Sequence, residues 1–142
     1  MNSTFRPKAP EGFVLGLSRR DIERLERQLR EHLQVLRAVF DLCREANPTA
    51  PGMGCVLSRQ QIAARSRLSG MVVNRTMAWM RTNHVMFVRW RKHKTWEVRF
   101  DLPVIQRILA APLPVAMGLI EAEAQRKLRQ GVVSTPVTRT QV

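Results

Sequence analysis

The sequence predicts a mainly helical protein with one small β-hairpin. Apolar residues recur every three or four positions through most of the chain, which is the spacing of helices that bury one face. The period changes within residues 85–100, where alternation of apolar and polar residues is typical of half-buried strands. We therefore expect helices on both sides of a single hairpin.

Length and charge narrow the class of protein. The chain has 142 residues, 44% of them hydrophobic, which is enough for the core of one domain with extensions. Lysine and arginine number 24 against 11 acids, and the net charge of +13 indicates nucleic acid or an anionic membrane surface as a partner. Neither a membrane-spanning apolar run nor a signal-peptide layout is seen, so we expect a cytoplasmic protein with no membrane partner.

The first predicted element is one long helix. Ser18 followed by Asp21 is a pattern that begins helices, and the apolar residues from Ile22 to Cys43 step by three or four. The helix is expected to span roughly 28 residues before Asn47-Pro48 ends it. Residues 1–17, which contain two prolines and two glycines, are expected to form an irregular arm.

Two short helices follow. Ser58 with Gln61 forms a capping-box pattern for the first of them, which ends near Ser66. Ser69 caps the second, which runs to about Asn83. The apolar side chains of the second helix that are spaced to face the core are Val73, Met77 and Met80.

The hairpin and two further helices complete the chain. The predicted strands are residues 85–91 and 95–100, joined by a cationic tip. Asp101 caps a helix that Pro112 ends, and a last helix follows up to Gly131. The predicted organisation is an arm (1–17), a main domain with a long first helix (18–111), a C-terminal helix (112–131) and a flexible tail (132–142).

Most of the excess charge lies in one segment of the chain. Residues 58–100 hold ten bases and a single acid, Glu97, so this segment carries +9 of the total +13. Such a concentration is typical of a nucleic-acid-binding module. A generally basic, solvated surface is the alternative.

The basic segment also contains an ordered motif. Its residues are Leu57-Ser58-Arg59-Gln60-Gln61-Ile62-Ala63-Ala64, then Leu68-Ser69, then Val73-Asn74-Arg75-Thr76-Met77, then Met80. With the hairpin after it, this layout resembles the winged helix-turn-helix of bacterial GntR- and MarR-type regulators and of plasmid replication initiators, over about residues 33–102. The chain departs from that pattern at residues 65–67, which lack the usual glycine of the turn, and at residues 82–86, just before the hairpin.

The resemblance implies which residues contact DNA. The second short helix would be the recognition helix in the major groove, with its contacts made by Ser69, Gly70, Met71, Asn74 and Arg75. Asn74 suits a bidentate contact to adenine, and Arg75 suits guanine or phosphate. Simple solvent exposure is the alternative for these two residues, and packing is the alternative for Met71.

Other residues are expected to contact the DNA backbone. Arg59 and Gln60 begin the first short helix, where phosphate binding is common, and Arg65 and Arg67 flank the turn. The hairpin, which would be the wing, adds a set suited to the minor groove or to flanking phosphates: Arg89, Arg91, Lys92, His93 and Lys94.

Two tryptophans bracket the tip of the hairpin. Trp90 and Trp96 would either stack on the bases of a single strand or form a cross-strand pair that stiffens the hairpin. We favour the cross-strand pair.

Apolar residues outside the motif suggest a homodimer. The surplus comprises Ile22, Leu25 and Leu29 of the long helix and Leu119 and Ile120 of the last helix. Two copies of one motif on a symmetric site would raise affinity and specificity together. Pairing of the two helices within one chain is the alternative.

The function expected from these patterns is sequence-specific binding of double-stranded DNA by a bacterial transcriptional regulator, most simply a repressor. Plasmid or mobile-element replication and maintenance is one alternative. A protein-docking or single-strand-binding module is another. The sequence contains no CxxC, HExxH or glycine-rich phosphate loop, so we expect no metal, no cofactor and no enzymatic activity. The operator and any small-molecule effector stay open.

Overall fold

The computed structural model describes residues 18–130 of the chain. The chain divides into two units between Arg30 and Glu31. The boundaries predicted near residues 17, 111 and 131 stay predictions. The predicted arm, the helix stop at Gly131 and the predicted tail lie outside the described residues.

The long first helix, α1, spans Arg19–Ala46 and has the predicted 28 residues. Ser18 Oγ accepts a hydrogen bond from the backbone N–H of Asp21 at 3.1 Å, so the predicted cap is present. At the other end, Asn47 N–H donates to the carbonyl oxygen of Cys43 at 2.9 Å, just before Pro48. Pro48 cannot continue the helix, because it has no N–H to donate.

The two short helices also lie where the sequence predicted them. Helix α2 spans Arg59–Ser66, and Ser58 and Gln61 form the reciprocal hydrogen bonds of a capping box. Helix α3 spans Gly70–Thr82, and Ser69 accepts a hydrogen bond from the N–H of Val72 at 3.2 Å. The predicted inner face of α3 is confirmed, since its three members are at most 1% exposed: Val73, Met77 and Met80.

The sheet has three antiparallel strands, one more than the sequence predicted. Strands β1 (Cys55–Ser58), β2 (Phe87–Arg91) and β3 (Thr95–Arg99) lie in the order β1-β3-β2. Strand β1 was missed because it has four residues, of which Leu57 alone is buried, so it shows no sustained alternation. Pairing with β3 defines it as a strand.

Strand β2 begins two residues later than predicted. The N–H of Val85 donates to the carbonyl oxygen of Met80 at 2.9 Å. Val85 therefore closes the carboxyl end of α3 and does not pair with a neighbouring strand. His84, just before it, has φ 56°, a left-handed conformation that turns the chain towards the sheet.

Two helices follow the sheet. Helix α4 spans Leu102–Ala110 and helix α5 spans Leu113–Arg129. Asp101 stands at the N-cap of α4 as predicted, but its side chain makes no capping hydrogen bond. Pro103 occupies the second position of the helix and has no N–H, which removes one of the two donors that such a cap uses.

One core joins these elements within residues 31–130. It contains Leu36 of α1, Ile62 of α2, Met77 of α3, Val98 of β3 and Ile105 of α4, all at most 1% exposed. Among the described residues, no helix has both the length and the apolar character needed to cross a membrane.

The five residues predicted to form a dimer interface differ in exposure. Ile22 and Leu25 are 43% and 45% exposed, whereas Leu29 is 7% exposed. Ile120 is 6% exposed and belongs to the core, and Leu119 packs against that core. The two α5 residues therefore serve the fold of a single chain, and the exposed part of the predicted interface is the first half of α1.

Candidate nucleic-acid interface

The amino ends of α2 and α3 meet the tip of the hairpin at one cleft. The cleft has a volume of about 390 Å³, and five predicted site residues line it: Arg59, Gln60, Gly70, His93 and Lys94. The N–H of Arg59 donates to the carbonyl oxygen of Lys94 at 3.0 Å, which fixes the hairpin tip against the start of α2. The N–H groups at the start of a helix attract anions. The positive side chains of Arg59 and Lys94 attract anions to the same cleft.

Gly70 allows the side chain of Arg59 to lie close to the start of α3. A Cβ atom at this position would lie 3.3 Å from Nε of Arg59, tighter than ordinary van der Waals contact. The small residue therefore lets the guanidinium group of Arg59 lie across the first turn of α3. This geometry brings a cation and a helix start to the same place.

A second cleft lies between α3 and the hairpin. It has a volume of about 300 Å³, and the residues that line it include Asn74, Ala78, Arg81 and Trp90. Arg81 was not among the predicted site residues. Its spacing was a usable signal, because positions 74, 78 and 81 follow the i, i+4, i+7 pattern of one helix face.

The two tryptophans form the predicted cross-strand pair. Trp90 and Trp96 are direct partners in the β2–β3 register, and their ring centroids lie 5.1 Å apart at an interplanar angle of 70°. This edge-to-face arrangement stabilises aromatic pairs beyond the area that they bury. Trp96 is 6% exposed, but Trp90 is 54% exposed and keeps much of its ring in solvent.

The ten bases of residues 58–100 divide into two groups. Five of them form ion pairs with carboxylates: Arg65 with Glu45 (2.7 Å), Arg75 with Glu31 (3.8 Å), and Arg89, Arg91 and Arg99 with Glu97 (2.6, 3.3 and 3.0 Å). The other five have no carboxylate oxygen within 4.0 Å in residues 18–130: Arg59, Arg67, Arg81, Lys92 and Lys94. The bases that pair with a carboxylate can thus be told from the others by their positions in the structure, which the composition does not give.

Glu97 offsets one of the three arginine charges that meet it on one face of the hairpin. It lies opposite Arg89 in the strand register, and hydrogen bonds from Arg99 and Arg89 lower the pKa of its carboxyl group below the usual value. Because side chains alternate along a strand, Arg89 and Arg91 project from the opposite face to Trp90. The sequence analysis grouped these two arginines with the tip residues as predicted DNA contacts. In the structure neither arginine lines the cleft between α3 and the hairpin.

The edge of α3 away from the hairpin packs against α1. Nδ1 of His32 lies 2.7 Å from Oγ1 of the fully buried Thr76, and the His32 ring stacks on Trp79 with 4.5 Å between centroids. Burial lowers the pKa of His32, and the positive charge of Arg75 lowers it further. Sequence reasoning missed this cluster, since its members come from two helices 44 positions apart.

The outer face of α3 is open where the motif predicted DNA contacts. Met71 is 73% exposed, so the packing alternative for this side chain is excluded, and Asn74 is also exposed. Arg75 is turned towards Glu31 of α1, at 3.8 Å, and lies at the edge of this face. Met71 and Asn74 are therefore accessible on the face of α3 that is predicted to contact DNA.

The turn between α2 and α3 replaces its usual glycine by an arginine in a left-handed conformation. Arg67 has φ 62° and ψ 32°, and its N–H donates to the carbonyl oxygen of Ala63. This conformation costs about 1–2 kcal/mol for a residue with a Cβ atom. Arg67 thus adopts a conformation that glycine would adopt without this cost.

We expect Arg67→Gly to raise the free energy of unfolding by about 1 kcal/mol, because glycine adopts the left-handed conformation without strain. The gain is smaller than the full strain energy, because glycine also increases the conformational entropy of the unfolded chain. Urea denaturation measures the change. Arg67→Ala is the matched control, since it removes the same charge and keeps the Cβ atom. Equal free energies of unfolding for Arg67→Gly and Arg67→Ala would show that the left-handed conformation of Arg67 carries no strain.

Comparisons with protein-family models, with curated proteins and with solved structures find no match to this chain. Across residues 18–130, no three His, Cys, Asp or Glu side chains are grouped so that they could hold a metal ion. The functional interpretation therefore rests on the geometry and charge of the residues described above.

Proposed function

We propose that this chain is a winged helix-turn-helix protein that binds double-stranded DNA at a specific sequence. In this proposal α2 and α3 form the helix-turn-helix, and β2 and β3 form the wing. The observation that carries it is the separation of charges. Arg59 and Lys94, which have no carboxylate partner within residues 18–130, line the cleft where α2, α3 and the wing tip meet. Five other bases of residues 58–100 share three carboxylates.

The proposed contacts follow from the exposure of each side chain. The outer face of α3 enters the major groove, where Asn74 reads an adenine edge and Met71 contacts a thymine methyl group. Arg59 and Lys94 bind phosphates beside the helix starts, and Lys92 extends from the wing tip to the neighbouring groove. Base contacts supply specificity, and phosphate contacts supply position and affinity.

The proposed role is that of a bacterial transcriptional regulator, and a repressor is the simplest form of it. A protein of this size that occupies its site excludes other proteins from the same DNA. We also propose that it acts as a homodimer through the exposed part of α1, where Ile22 and Leu25 lie three positions apart on one face. One recognition helix reads few base pairs, so two copies would extend the site.

Selection of duplex DNA from a random pool tests the proposal. We expect one short preferred sequence, repeated in inverted order if two copies bind together. The affinity for that sequence should fall steeply with salt, and the slope of log K against log salt should be roughly −4.5 per bound copy. Each neutralised phosphate contributes about 0.9, and five bases of residues 58–100 have no carboxylate partner within residues 18–130.

Two single variants test which basic residues produce the salt dependence of binding. Arg81→Ala should reduce the slope by about 0.9, because it removes one unpaired cation from the α3 side. Arg65→Ala is the matched control and should leave the slope nearly unchanged, since Glu45 offsets the charge of this arginine in a one-to-one ion pair at 2.7 Å. A slope near zero, or equal effects of the two variants, would contradict the proposal.

A further inference from the structure

The wing keeps one large aromatic ring in solvent beside α3. Trp90 is 54% exposed, and its contact with the buried Trp96 holds it in place. A fixed indole offers a flat apolar surface that loses little side-chain entropy when a ligand covers it. The cross-strand pair explains the position of Trp90, but it leaves the exposed face of the ring without a role.

Cationic residues line two clefts that share this ring. One is the cleft of about 300 Å³ shared with Asn74 and Arg81 of α3. The other is an open depression of about 690 Å³ that Trp90 shares with Lys92 of the hairpin tip. An aromatic side chain between cations is the arrangement that tracks a single nucleic-acid strand, because bases stack on the ring and phosphates meet the charges.

A nucleobase fits the walls of the α3 cleft better than a sugar does. Its flat face stacks on the indole, and its edge carries acceptors for the guanidinium group of Arg81. A deoxyribose has neither a flat face nor such an edge. Within a paired duplex both faces of each base are already stacked on neighbours, so only an unpaired nucleotide can use Trp90.

We propose that the cleft between α3 and the wing binds an unpaired nucleobase of a DNA strand that adjoins the bound duplex. The protein then prefers a junction of duplex and single strand over the same duplex with blunt ends. This inference rests on the proposed duplex binding and adds a substrate class to it.

The test compares three DNA ligands that contain the selected site: the blunt duplex, the duplex with a three-nucleotide extension at either end, and the duplex with an abasic extension of equal charge. For the wild type, the extension with bases should strengthen binding at least about fivefold at one end, the smallest gain that base–aromatic stacking gives. The abasic extension should give no such gain.

Variants at Trp90 assign the effect to this ring. Trp90→Leu should lose the gain and keep affinity for the blunt duplex within about twofold, whereas Trp90→Phe should keep part of the gain. Thermal melting monitors the fold of both variants. Equal binding of blunt and extended duplexes, a gain with the abasic extension, or a gain that survives Trp90→Leu would each overturn the inference.

The outcomes also separate this inference from the proposed function. Specific binding of the blunt duplex without a gain from the extension overturns the base site alone. Binding of the extended strand by itself, as tight as binding of the extended duplex, overturns the proposed duplex recognition and leaves the base site standing.

Discussion

Replacing Met77 by alanine is expected to lower the free energy of unfolding by about 2–5 kcal/mol. Met77 lies on the inner face of α3, is 1% exposed and shares the core with Ile62 and Val73. Truncation leaves a cavity that the packed neighbours fill only in part. Denaturant unfolding followed by circular dichroism measures the loss.

Met71 provides the matched control, because it is the same residue type on the same helix. It is 73% exposed, so Met71→Ala should change the free energy of unfolding by no more than about 0.5 kcal/mol. The same variant should weaken DNA binding, since it removes the proposed contact with a thymine methyl group. Equal destabilisation by the two variants would show that the inner and outer faces of α3 are wrongly assigned.

Asn74→Ala is expected to weaken binding to the selected DNA sequence by about 1–3 kcal/mol and to relax the base preference at one position. The Asn74 side chain is exposed on the outer face of α3, so its loss should leave the fold intact. Competition between the selected duplex and random duplex measures both effects. The double variant Lys92→Ala, Lys94→Ala should weaken binding to all sequences nearly alike, because phosphate contacts carry no sequence information.

The assignment of roles depends on the difference between these two variants. If Asn74→Ala weakens selected and random DNA equally, Asn74 contacts the backbone and not a base edge. If the double lysine variant changes the preferred sequence, the wing tip reads bases in a groove. Either result would move the proposed sequence specificity from α3 to another element.

Local sequence signals were sufficient for most of the fold. The helices begin at Ser18, Ser58 and Ser69 as predicted, because a side-chain oxygen that accepts from the first turn is a local feature. The inner face of α3 was likewise predictable from the spacing of Val73, Met77 and Met80. The cross-strand tryptophan pair followed from the symmetry of a short hairpin.

Features that depend on distant residues were not predictable in the same way. Strand β1 exists through its pairing with β3, about 40 positions later, and its four residues carry no period of their own. The partners of Arg65 and Arg75 are acids of α1, and no local spacing links them. Sequence reasoning therefore counted the bases correctly. It could not tell which of them pair with a carboxylate and which have no such partner within residues 18–130.

The order of the strands has a consequence for the behaviour of the protein in solution. Strand β2 lies at an edge of the sheet, and an exposed edge is a template for strand addition by another molecule. Arg89 and Arg91 are exposed on this strand, and charged side chains of this kind keep edges from pairing. These arginines thus oppose strand addition at β2, so neutral residues at both positions would be expected to reduce the solubility of the protein.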